Sequence, residues 1–294
     1  MKKVAAVVVT YNRKEFLVRN INALLAQSFN DLDVFIIDNA STDGTREAIN
    51  SFIEKRSIIY YNTGENLGGA GGFNYGMRVA AELGYELIWI MDDDCIPDAD
   101  ALEKLIEAHN SLNGNYGFLS SIAYWRDGTP CNMNVQKVSL KEKITDYSSA
   151  LVPVIMATFV SLLVKGDTVK EFGLPIKDFF IWSDDLEYTR RISLKYTSYA
   201  VNTSRVLHDM HSNAKVNIVT DSPERLSRYA YLYRNEVYVY RREGLKGWIY
   251  LFLRVAFHLA KVIVKSKDMR FKKCGVILKS FINGLTFKPK IEKI

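Results

Sequence analysis

The first hundred residues alternate short apolar runs with segments of helical periodicity, and this alternation limits the fold more than any other feature of the chain. Val4–Thr10 is a continuous run of apolar and β-branched residues, typical of a strand buried on both faces. Similar runs at 33–38, 58–62 and 87–91 are separated by segments in which apolar residues recur at helical spacing. The pattern predicts an α/β fold with a mostly parallel sheet flanked by helices.

Polar side chains cluster directly after three of these runs. They are Thr10, Tyr11, Asn12 and Arg13 after the first run, Asp38 and Asn39 after the second, and Asp92, Asp93 and Asp94 after the fourth. In parallel α/β sheets, ligands bind beyond the carboxyl ends of the strands. The clusters therefore occupy the edge of the sheet at which a ligand is expected.

The pattern is weaker beyond residue 112. Residues 118–124 and 155–164 predict two more strands, 126–150 a loop, and 229–242 an aromatic helix packed on the body of the protein. Nothing marks a linker before about residue 240. We expect one domain over 1–240, with halves 1–112 and 113–240, followed by a basic helical segment over 241–294.

The composition excludes several classes of protein. With 48% hydrophobic and 24% charged residues, the 294-residue chain can bury a sizeable core and is not intrinsically disordered. Cys95, Cys131 and Cys274 lie far apart, which argues against a disulfide framework and a structural zinc site. Residues 1–3 lead straight into the first predicted strand without a secretory signal, which predicts a cytoplasmic location.

The three adjacent acids at 92–94 leave two interpretations open. A divalent cation bound by these carboxylates would offset their mutual repulsion at the strand end. Carboxylate oxygens are suitable ligands for Mg²⁺ or Mn²⁺ bound to a diphosphate. The alternative is a solvated acidic turn before the next helix. The apolar run ends where the acids begin, which favours the metal.

A glycine-rich segment, NLGGAGGF, covers residues 66–73. Its four glycines allow backbone N–H groups to approach a phosphate or a sugar at the start of a helix predicted from about residue 74. The segment matches neither the P-loop nor the dinucleotide-binding pattern. The alternative is a flexible loop between a strand and a helix.

Two further segments carry candidate catalytic residues. Asp184 and Asp185 follow an aromatic run at a predicted helix start, where an acid can act as a general base with a raised pKa or simply favour the helix N-terminus. His208 is one of only four histidines, and it is a candidate for either a metal ligand or a structural residue.

Charge is unevenly distributed along the chain. Residues 241–294 carry fourteen Lys or Arg against three acids, while the other 240 residues carry 25 basic and 30 acidic residues. Residues 248–264 are apolar except for Arg254, His258 and Lys261, which with Lys265 form one polar stripe of a helix. We expect residues 245–294 to lie on an anionic membrane surface rather than to cross the bilayer. The alternative is a helix docked on the body or on a second subunit of a homo-oligomer, and the acidic body argues against a nucleic-acid partner.

Taken together, these segments resemble family 2 glycosyltransferases with the Rossmann-like GT-A fold. The resemblance covers residues 3–240 and rests on the order of VVVTYNR, IIDNASTDGT, NLGGAGGFNYGM, MDDDCIPD, WSDDLE and YLYRN. It is greatest to the galactofuranosyltransferase branch, and rhamnosyltransferases share much of the pattern. It implies an inverting, metal-dependent transfer of galactofuranose from UDP-galactofuranose to a lipid-linked glycan, such as a capsule or O-antigen unit, at the inner face of the cell membrane. Transfer of rhamnose from dTDP-rhamnose is the alternative.

The resemblance also assigns residues to three parts of a site. The donor side comprises Thr10, Tyr11, Asn12, Arg13, Asp38, Asn66, Gly68, Gly69, Asp92 and Asp93, of which Asp38 would accept a hydrogen bond from the uracil ring. The ligands of Mn²⁺ or Mg²⁺ are Asp92, Asp94 and His208. On the acceptor side, Asp184 is the general base, and Trp182 and Asp185 shape the site.

Other functions remain as alternatives. The QxxRW motif of processive family members is absent from the sequence, which argues against a long polymer extruded by this chain alone. A non-catalytic nucleotide-sugar-binding subunit is disfavoured by the set of Asp92, Asp94, Asp184 and His208. A sugar nucleotidyltransferase would need a glycine-rich basic loop where residues 10–12 stand.

Overall fold

The computed structural model describes residues 3–210, 212–213 and 216–294, and nine strands within these ranges form one sheet. The strands are β1 Val4–Thr10, β2 Leu32–Asp38, β3 Ile59–Asn62, β4 Leu87–Asp92, β5 Cys95–Pro97, β6 Phe118–Tyr124, β7 Leu151–Val154, β8 Leu162–Lys165 and β9 Ser198–His208. The helices are α1 Lys14–Leu25, α2 Thr45–Glu54, α3 Gly68–Glu82, α4 Ala101–Ser111, α5 Gly166–Phe172, α6 Asp184–Ser193, α7 Leu226–Arg241, α8 Gly244–Lys265 and α9 Arg270–Thr286. Two short 3₁₀ helices cover Lys177–Phe179 and Pro223–Arg225.

The sheet has the order β3-β2-β1-β4-β8-β6-β9-β5, and β7 pairs with β9. β1 is parallel to β2 and β4, and β2 is parallel to β3, as the alternating pattern predicts for this half of the chain. In the other half β6 is parallel to β9, while the pairings of β8, β7 and β5 are antiparallel. The predicted α/β class is confirmed, and the sheet runs without a break through both predicted halves.

Helices cover both faces of the sheet because successive side chains of a strand point to opposite sides. In β1, Val4, Ala6 and Val8 pack in a cluster with side chains of α1, α2 and α4. The alternate residues of β1 pack with side chains of α3, α5 and α6 on the other face. Every residue of β1 is buried, which explains its uninterrupted apolar run.

The glycine-rich segment is helical, and this corrects two expectations. α3 begins at Gly68, six residues before the predicted start, and so the segment is not a flexible loop. A Cβ at Gly72 would lie 2.5 Å from Cγ1 of Val9, and one at Gly76 would lie 2.4 Å from Cγ1 of Val7. The glycines therefore allow α3 to pack directly on β1.

The strand predicted over 155–164 is wrong for most of its length, since β7 ends at Val154 and β8 begins at Leu162. Ser161, just before β8, has a left-handed φ of 62° that a strand does not accommodate. The ring of Phe159 lies 4.8 Å from that of Phe73 and 5.9 Å from that of Tyr188. The apolar side chains of this segment thus fill space between the helices instead of pairing in the sheet.

The basic C-terminal segment forms α8 and α9, as predicted, and both pack on α7. The polar stripe of α8 faces the protein: Arg254 forms a bidentate ion pair with Glu236 of α7 (2.8 and 2.7 Å), and His258 Nδ1 lies 2.8 Å from the hydroxyl of Tyr233. Within the described ranges, α8 is the helix that is long and apolar enough to cross a membrane. Residues after α9 return to the body, where Glu292 pairs with Arg78.

α8 and α9 expose large apolar side chains on their outer side. We call this surface the C-terminal apolar face, and its residues are Leu245, Ile249, Phe252, Leu253, Phe257, Ile263, Val264, Phe271, Leu278, Ile282 and Leu285. The docking of the polar stripe on α7 leaves these residues exposed, so α8 contacts the body on one side and presents apolar surface on the other.

Candidate active site

A cavity of about 720 Å³ lies between the ends of β4 and β9, the start of α6, the loop around residues 132–143, and α7 with α8. It brings together six of the residues predicted from the sequence, which come from four separate segments of the chain. They are Gly69, Asp92, Trp182, Asp184, Asp185 and His208. We identify this cavity as the candidate active site.

Asp93 is held from the side of β1. Its carboxylate accepts hydrogen bonds from Thr10 Oγ1 at 2.7 Å and from Arg13 Nη1 at 3.0 Å. Arg13 Nη2 also pairs with Asp94 at 2.8 Å. Burial raises the pKa of Asp93 to about 7, although the charge of Arg13 opposes the shift. Thr10 and Arg13 thus fix the acidic cluster, and their predicted contacts with a nucleotide stay a prediction.

Asp94 and His208 meet because β5 runs antiparallel to β9, with Cys95 opposite His208. His208 Nε2 lies 3.1 Å from Asp94 Oδ1. Burial opposes ionisation of both groups, but their hydrogen bond and mutual charge raise the pKa of His208 and lower that of Asp94. The sheet pairing therefore explains how residues 114 positions apart form one polar contact.

The residues around this contact fit a divalent cation. Nδ1 of His208 donates to Asn134 Oδ1 at 2.9 Å, which leaves Nε2 as the nitrogen available to a metal. Asp92 lies beside them, and burial followed by the negative charge of Asp94 raises its pKa. A cation would relieve this repulsion between buried carboxylates. Of the three predicted ligands, Asp94 and His208 thus lie in contact, whereas Asp92 is a neighbour whose carboxylate lies outside the group of ligand atoms within 4.8 Å of one another. His211 falls outside the described residues.

Cys95 is a neighbour of the candidate metal site that the sequence did not suggest. Its sulfur lies within 4.8 Å of ligand atoms of Asp94 and His208. Burial raises the pKa of this thiol well above its usual range, and its side chain belongs to the apolar cluster that includes Leu17 and Ile21. Because a neutral thiol is a poor ligand for Mg²⁺ or Mn²⁺, we assign Cys95 to the core.

The end of β2 forms a tight polar turn. Asp38 accepts hydrogen bonds from the backbone N–H of Ser41 at 2.8 Å and from the hydroxyl of Tyr60 at 2.7 Å. Asn12, at a left-handed φ of 55°, accepts from the backbone N–H of Thr42 at 2.7 Å, and Tyr11 beside it is exposed. The turn is therefore ordered by internal bonds, and contacts of these residues with a uracil ring stay a prediction.

The N-terminus of α3 reaches the cavity. Asn66 Oδ1 accepts from the backbone N–H of Gly68 at 2.9 Å. Gly68 has a φ of 71°, and a Cβ there would lie 2.2 Å from the carbonyl oxygen of Phe180, so only glycine fits. Gly69 lines the cavity and has open space around it. The first turn of α3 can thus present backbone N–H groups to an anion, as the sequence suggests.

Asp184 begins α6 after an unusual backbone segment. Phe180, Trp182 and Ser183 have left-handed φ values of 62°, 65° and 69°. Burial, followed by the charge of Asp185, raises the pKa of Asp184 to about 8, and burial raises that of Asp185 to about 6. A buried carboxyl group whose pKa lies near neutrality suits a general base.

Asn235 of α7 holds this segment, and sequence reasoning missed its role. Its side-chain nitrogen donates to the carbonyl oxygens of Phe179, Ile181 and Trp182 at 3.0, 3.2 and 2.9 Å. Asn235 is fully buried. It belongs to the YLYRN motif of the resemblance, which was the only signal available. Asn134 had no such signal, since it is an isolated amide in a predicted loop.

Comparisons with known proteins bear on the family and the fold of the chain. The family model for glycosyl transferase family 2 matches residues 5–145. Galactofuranosyltransferase GlfT1 of Mycolicibacterium smegmatis is 28% identical over 284 residues, which cover 85% of this chain and 90% of the relative. GlfT1 of Mycobacterium tuberculosis strain H37Rv is 26% identical over 286 residues, which cover 86% of this chain and 90% of the relative.

Solved structures share the fold. The structure of S. aureus TarS 1–349 in complex with UDP has a TM-score of 0.57, with 14% identity over 96% of this chain and 71% of that chain. The mannosyltransferase PcManGT from Pyrobaculum calidifontis, in complex with GDP-Man and Mn²⁺, has a TM-score of 0.59. Its identity is 15% over 95% of this chain and 74% of that chain. These similarities confirm the predicted GT-A fold. Residues 5–145 match glycosyl transferase family 2, and along most of its length the chain is similar to galactofuranosyltransferases.

Proposed function

We propose that the protein transfers galactofuranose from UDP-galactofuranose, with inversion, to a hydroxyl group of a lipid-linked cell-surface glycan such as a capsule or O-antigen unit. The observation that carries this proposal is the single cavity lined by Asp92, Asp184 and His208. The two GlfT1 relatives, which are named as galactofuranosyltransferases, support the choice of sugar.

Asp184 is the general base of the proposed reaction. Its carboxylate accepts the proton of the acceptor hydroxyl as the hydroxyl oxygen attacks the anomeric carbon and the bond to the nucleoside diphosphate breaks. Burial of Asp184 favours this role, because it raises the pKa of the carboxyl group and so strengthens the base. Trp182 and Asp185, which line the same cavity, contact the acceptor.

The donor lies on the other side of the reacting carbon. Asp92, Asp94 and His208 would hold Mn²⁺ or Mg²⁺, and Asn134, which accepts a hydrogen bond from His208 Nδ1, would orient His208 for this role. When bound, the cation neutralises the charge that develops on the departing diphosphate. The first turn of α3 offers the backbone N–H of Gly69, which lines the cavity, to the same leaving group, whereas the N–H of Gly68 is already donated to Asn66 Oδ1.

A donor panel tests the proposal. The full chain is incubated with UDP-galactofuranose or dTDP-rhamnose and a lipid-linked glycan, with Mn²⁺ or with EDTA, and products are identified by mass spectrometry and by NMR of the new anomeric centre. We expect transfer of galactofuranose with inverted configuration in the samples that contain Mn²⁺ and no transfer in those that contain EDTA. Rhamnose transfer would contradict the assigned sugar. Donor binding without any transfer would make the protein a non-catalytic nucleotide-sugar-binding subunit.

We also propose that the C-terminal apolar face lies in the interface of an anionic membrane, at the inner face of the cell membrane. The fourteen Lys and Arg of residues 241–294 support an anionic surface, and the exposed apolar side chains supply area to bury.

A pair of matched leucines tests this location. Leu253 on α8 is 65% exposed and Leu194 after α6 is 67% exposed. We expect Leu253→Asp to reduce co-sedimentation with phosphatidylglycerol vesicles and Leu194→Asp to leave it unchanged. Equal effects of the two variants would contradict the proposal. A dimer in solution that Leu253→Asp dissociates would assign the face to a second copy of the chain.

A further inference from the structure

A second group of charged residues lines the cavity and includes Lys137, Arg254 and Lys261. We call these three residues the cationic wall. Lys137 comes from the loop before β7, and the other two belong to the polar stripe of α8. The wall and Asp184 line the same cavity, so a molecule bound there can reach both.

The three cations of the wall differ in their contacts with carboxylates. Arg254 is matched by its bidentate pair with Glu236. Lys137 Nζ donates to the hydroxyl of Tyr240 at 3.2 Å, and Lys261 Nζ donates to Asn217 Oδ1 at 3.1 Å. Over residues 3–210, 212–213 and 216–294, neither ammonium group forms an ion pair with a carboxylate. Neither lysine therefore has a carboxylate in direct contact, although the charges of Glu236 and Asp185 act on Lys137 from farther away.

His258 does not add to this charge. It lies between Arg254 and Lys261 on α8, and burial followed by the charge of Arg254 lowers its pKa to about 4. Its Nδ1 is engaged with the hydroxyl of Tyr233. The neutral imidazole separates the two cations of α8, so the charge of the wall does not change near neutral pH.

Ammonium groups that contact no carboxylate inside a cavity are costly, and an anion offsets that cost. Burial lowers the pKa of Lys137, which shows that its surroundings disfavour the charged form. A phosphate group fits two separate lysines, because its several oxygens accept charge-assisted hydrogen bonds from both. The proposed function places the nucleoside diphosphate of the donor at the candidate metal ligands, and so this anion is a second one.

We infer that the cationic wall binds a phosphate ester of the acceptor, namely the phosphate that joins its glycan to a lipid. The identity of the acceptor rests on the proposed function. α8 carries Arg254 and Lys261 on the side that lines the cavity and the C-terminal apolar face on the other. The same helix thus carries both the residues that would hold a phosphate and an apolar surface for a lipid chain.

Direct binding of farnesyl phosphate tests the inference without any glycosyl transfer. The full chain is kept with Mn²⁺ and excess UDP, so that the donor end is occupied, and farnesyl phosphate or farnesol is titrated by calorimetry. We expect Lys137→Gln and Lys261→Gln each to weaken farnesyl phosphate binding about tenfold, because each removes a charge-assisted hydrogen bond. Farnesol binding is expected to stay unchanged. Lys246→Gln is the matched control, since Lys246 is an exposed cation of α8 outside the cavity.

Two results would overturn the inference. If wild type binds farnesyl phosphate no better than farnesol, or if Lys246→Gln weakens binding as much as Lys261→Gln, the wall is not a phosphate site. A vesicle arm separates lipid headgroups from the acceptor: Lys137→Gln and Lys261→Gln should bind phosphatidylglycerol vesicles as wild type does. Loss of vesicle binding with intact farnesyl phosphate binding would assign the wall to headgroups and contradict the inference.

The two proposals can fail separately. Farnesyl phosphate binding that depends on Lys137 and Lys261, in a protein that transfers no sugar in the donor panel, would keep the anion site and reject the proposed activity. Transfer of galactofuranose with unchanged kinetics in Lys261→Gln would do the reverse.

Discussion

The two ends of the cavity differ in both charge and construction. At the acidic end, Asp92, Asp94 and His208 come from the termini of paired strands or from the turn directly after one, so the sheet fixes their positions. At the acceptor end, Asp184 follows three residues with left-handed φ values, and a side chain of α7 holds that segment. One end is positioned by the regular sheet, and the other by a few side-chain contacts between helices and a loop.

This difference shows that acidic and basic residues of one cavity can serve different ligands. The acidic end suits a cation and, through it, a diphosphate, while the cationic wall of the same cavity suits a second anion. Separation of the two charged regions lets the donor and the acceptor bind without competing. Substitutions at each end should therefore affect different steps.

Asp184→Asn has the largest expected effect and tests the division between the two ends. Loss of the base should reduce transfer by about 10²–10⁴-fold, because the amide cannot accept the hydroxyl proton. UDP affinity, measured by calorimetry with Mn²⁺, should stay within error of wild type. Asp178→Asn, an exposed neighbour of the same segment, serves as the control. A parallel loss of transfer and UDP affinity would assign Asp184 a structural role.

Asn134→Ala should affect metal binding at the acidic end of the cavity. Removal of the amide that accepts from His208 Nδ1 should weaken Mn²⁺ binding about 10–100-fold, as is usual for residues that orient a metal ligand. Calorimetric titration of Mn²⁺ in the presence of UDP measures this, with Asn132→Ala, an exposed amide of the same loop, as the control. Unchanged Mn²⁺ affinity would argue against His208 as a ligand.

Asn235→Ala probes the support of the acceptor end. Three carbonyl groups lose their donor, so we expect a loss of about 1–3 kcal/mol in the free energy of unfolding. The left-handed residues before Asp184 can then relax, which should lower kcat and leave UDP affinity intact. Denaturant titration and steady-state kinetics measure the two effects, and Asn283→Ala on exposed α9 is the control. If kcat equals that of the control, Asn235 serves stability alone.

The pH dependence of kcat/KM gives the smallest and most specific comparison. Asp184 must be ionised to accept a proton, and its pKa is raised by burial and then by Asp185, so activity should rise with pH through a limb well above the usual range of an aspartate. Asp185→Asn removes a like charge, which should move this limb to lower pH. Glu107→Gln, exposed on α4, should not move it. A limb that stays in place in Asp185→Asn would mean that another group is the base.

The sequence predicted the acidic end better than the acceptor end, and the reason is physical. The apolar run of β1 and the acids at the end of β4 are local signals, because a strand buried on both faces needs a continuous apolar segment. The early start of α3 was missed because glycine has a low helix propensity. Glycines occur in this helix because Gly72 and Gly76 pack directly on β1.

Contacts between distant segments explain what the sequence did not reveal. The role of Asn235 depends on three carbonyl groups more than 50 residues earlier in the chain. The polar stripe of α8 was recognised, but nothing in its spacing indicates whether it faces water or the body. The pairing of Arg254 with Glu236 settles that orientation.

Adjacent residues of α7 connect two otherwise separate parts of the protein. Asn235 binds the backbone that leads to Asp184, and Glu236 binds Arg254 of α8. Any tilt or sliding of α8 against the body must therefore be absorbed at the same turn of helix that sets the position of the proposed base. Two neighbouring side chains thus connect α8 to the backbone before Asp184. A displacement of α8 can therefore change the position of the proposed base and, with it, the rate of transfer.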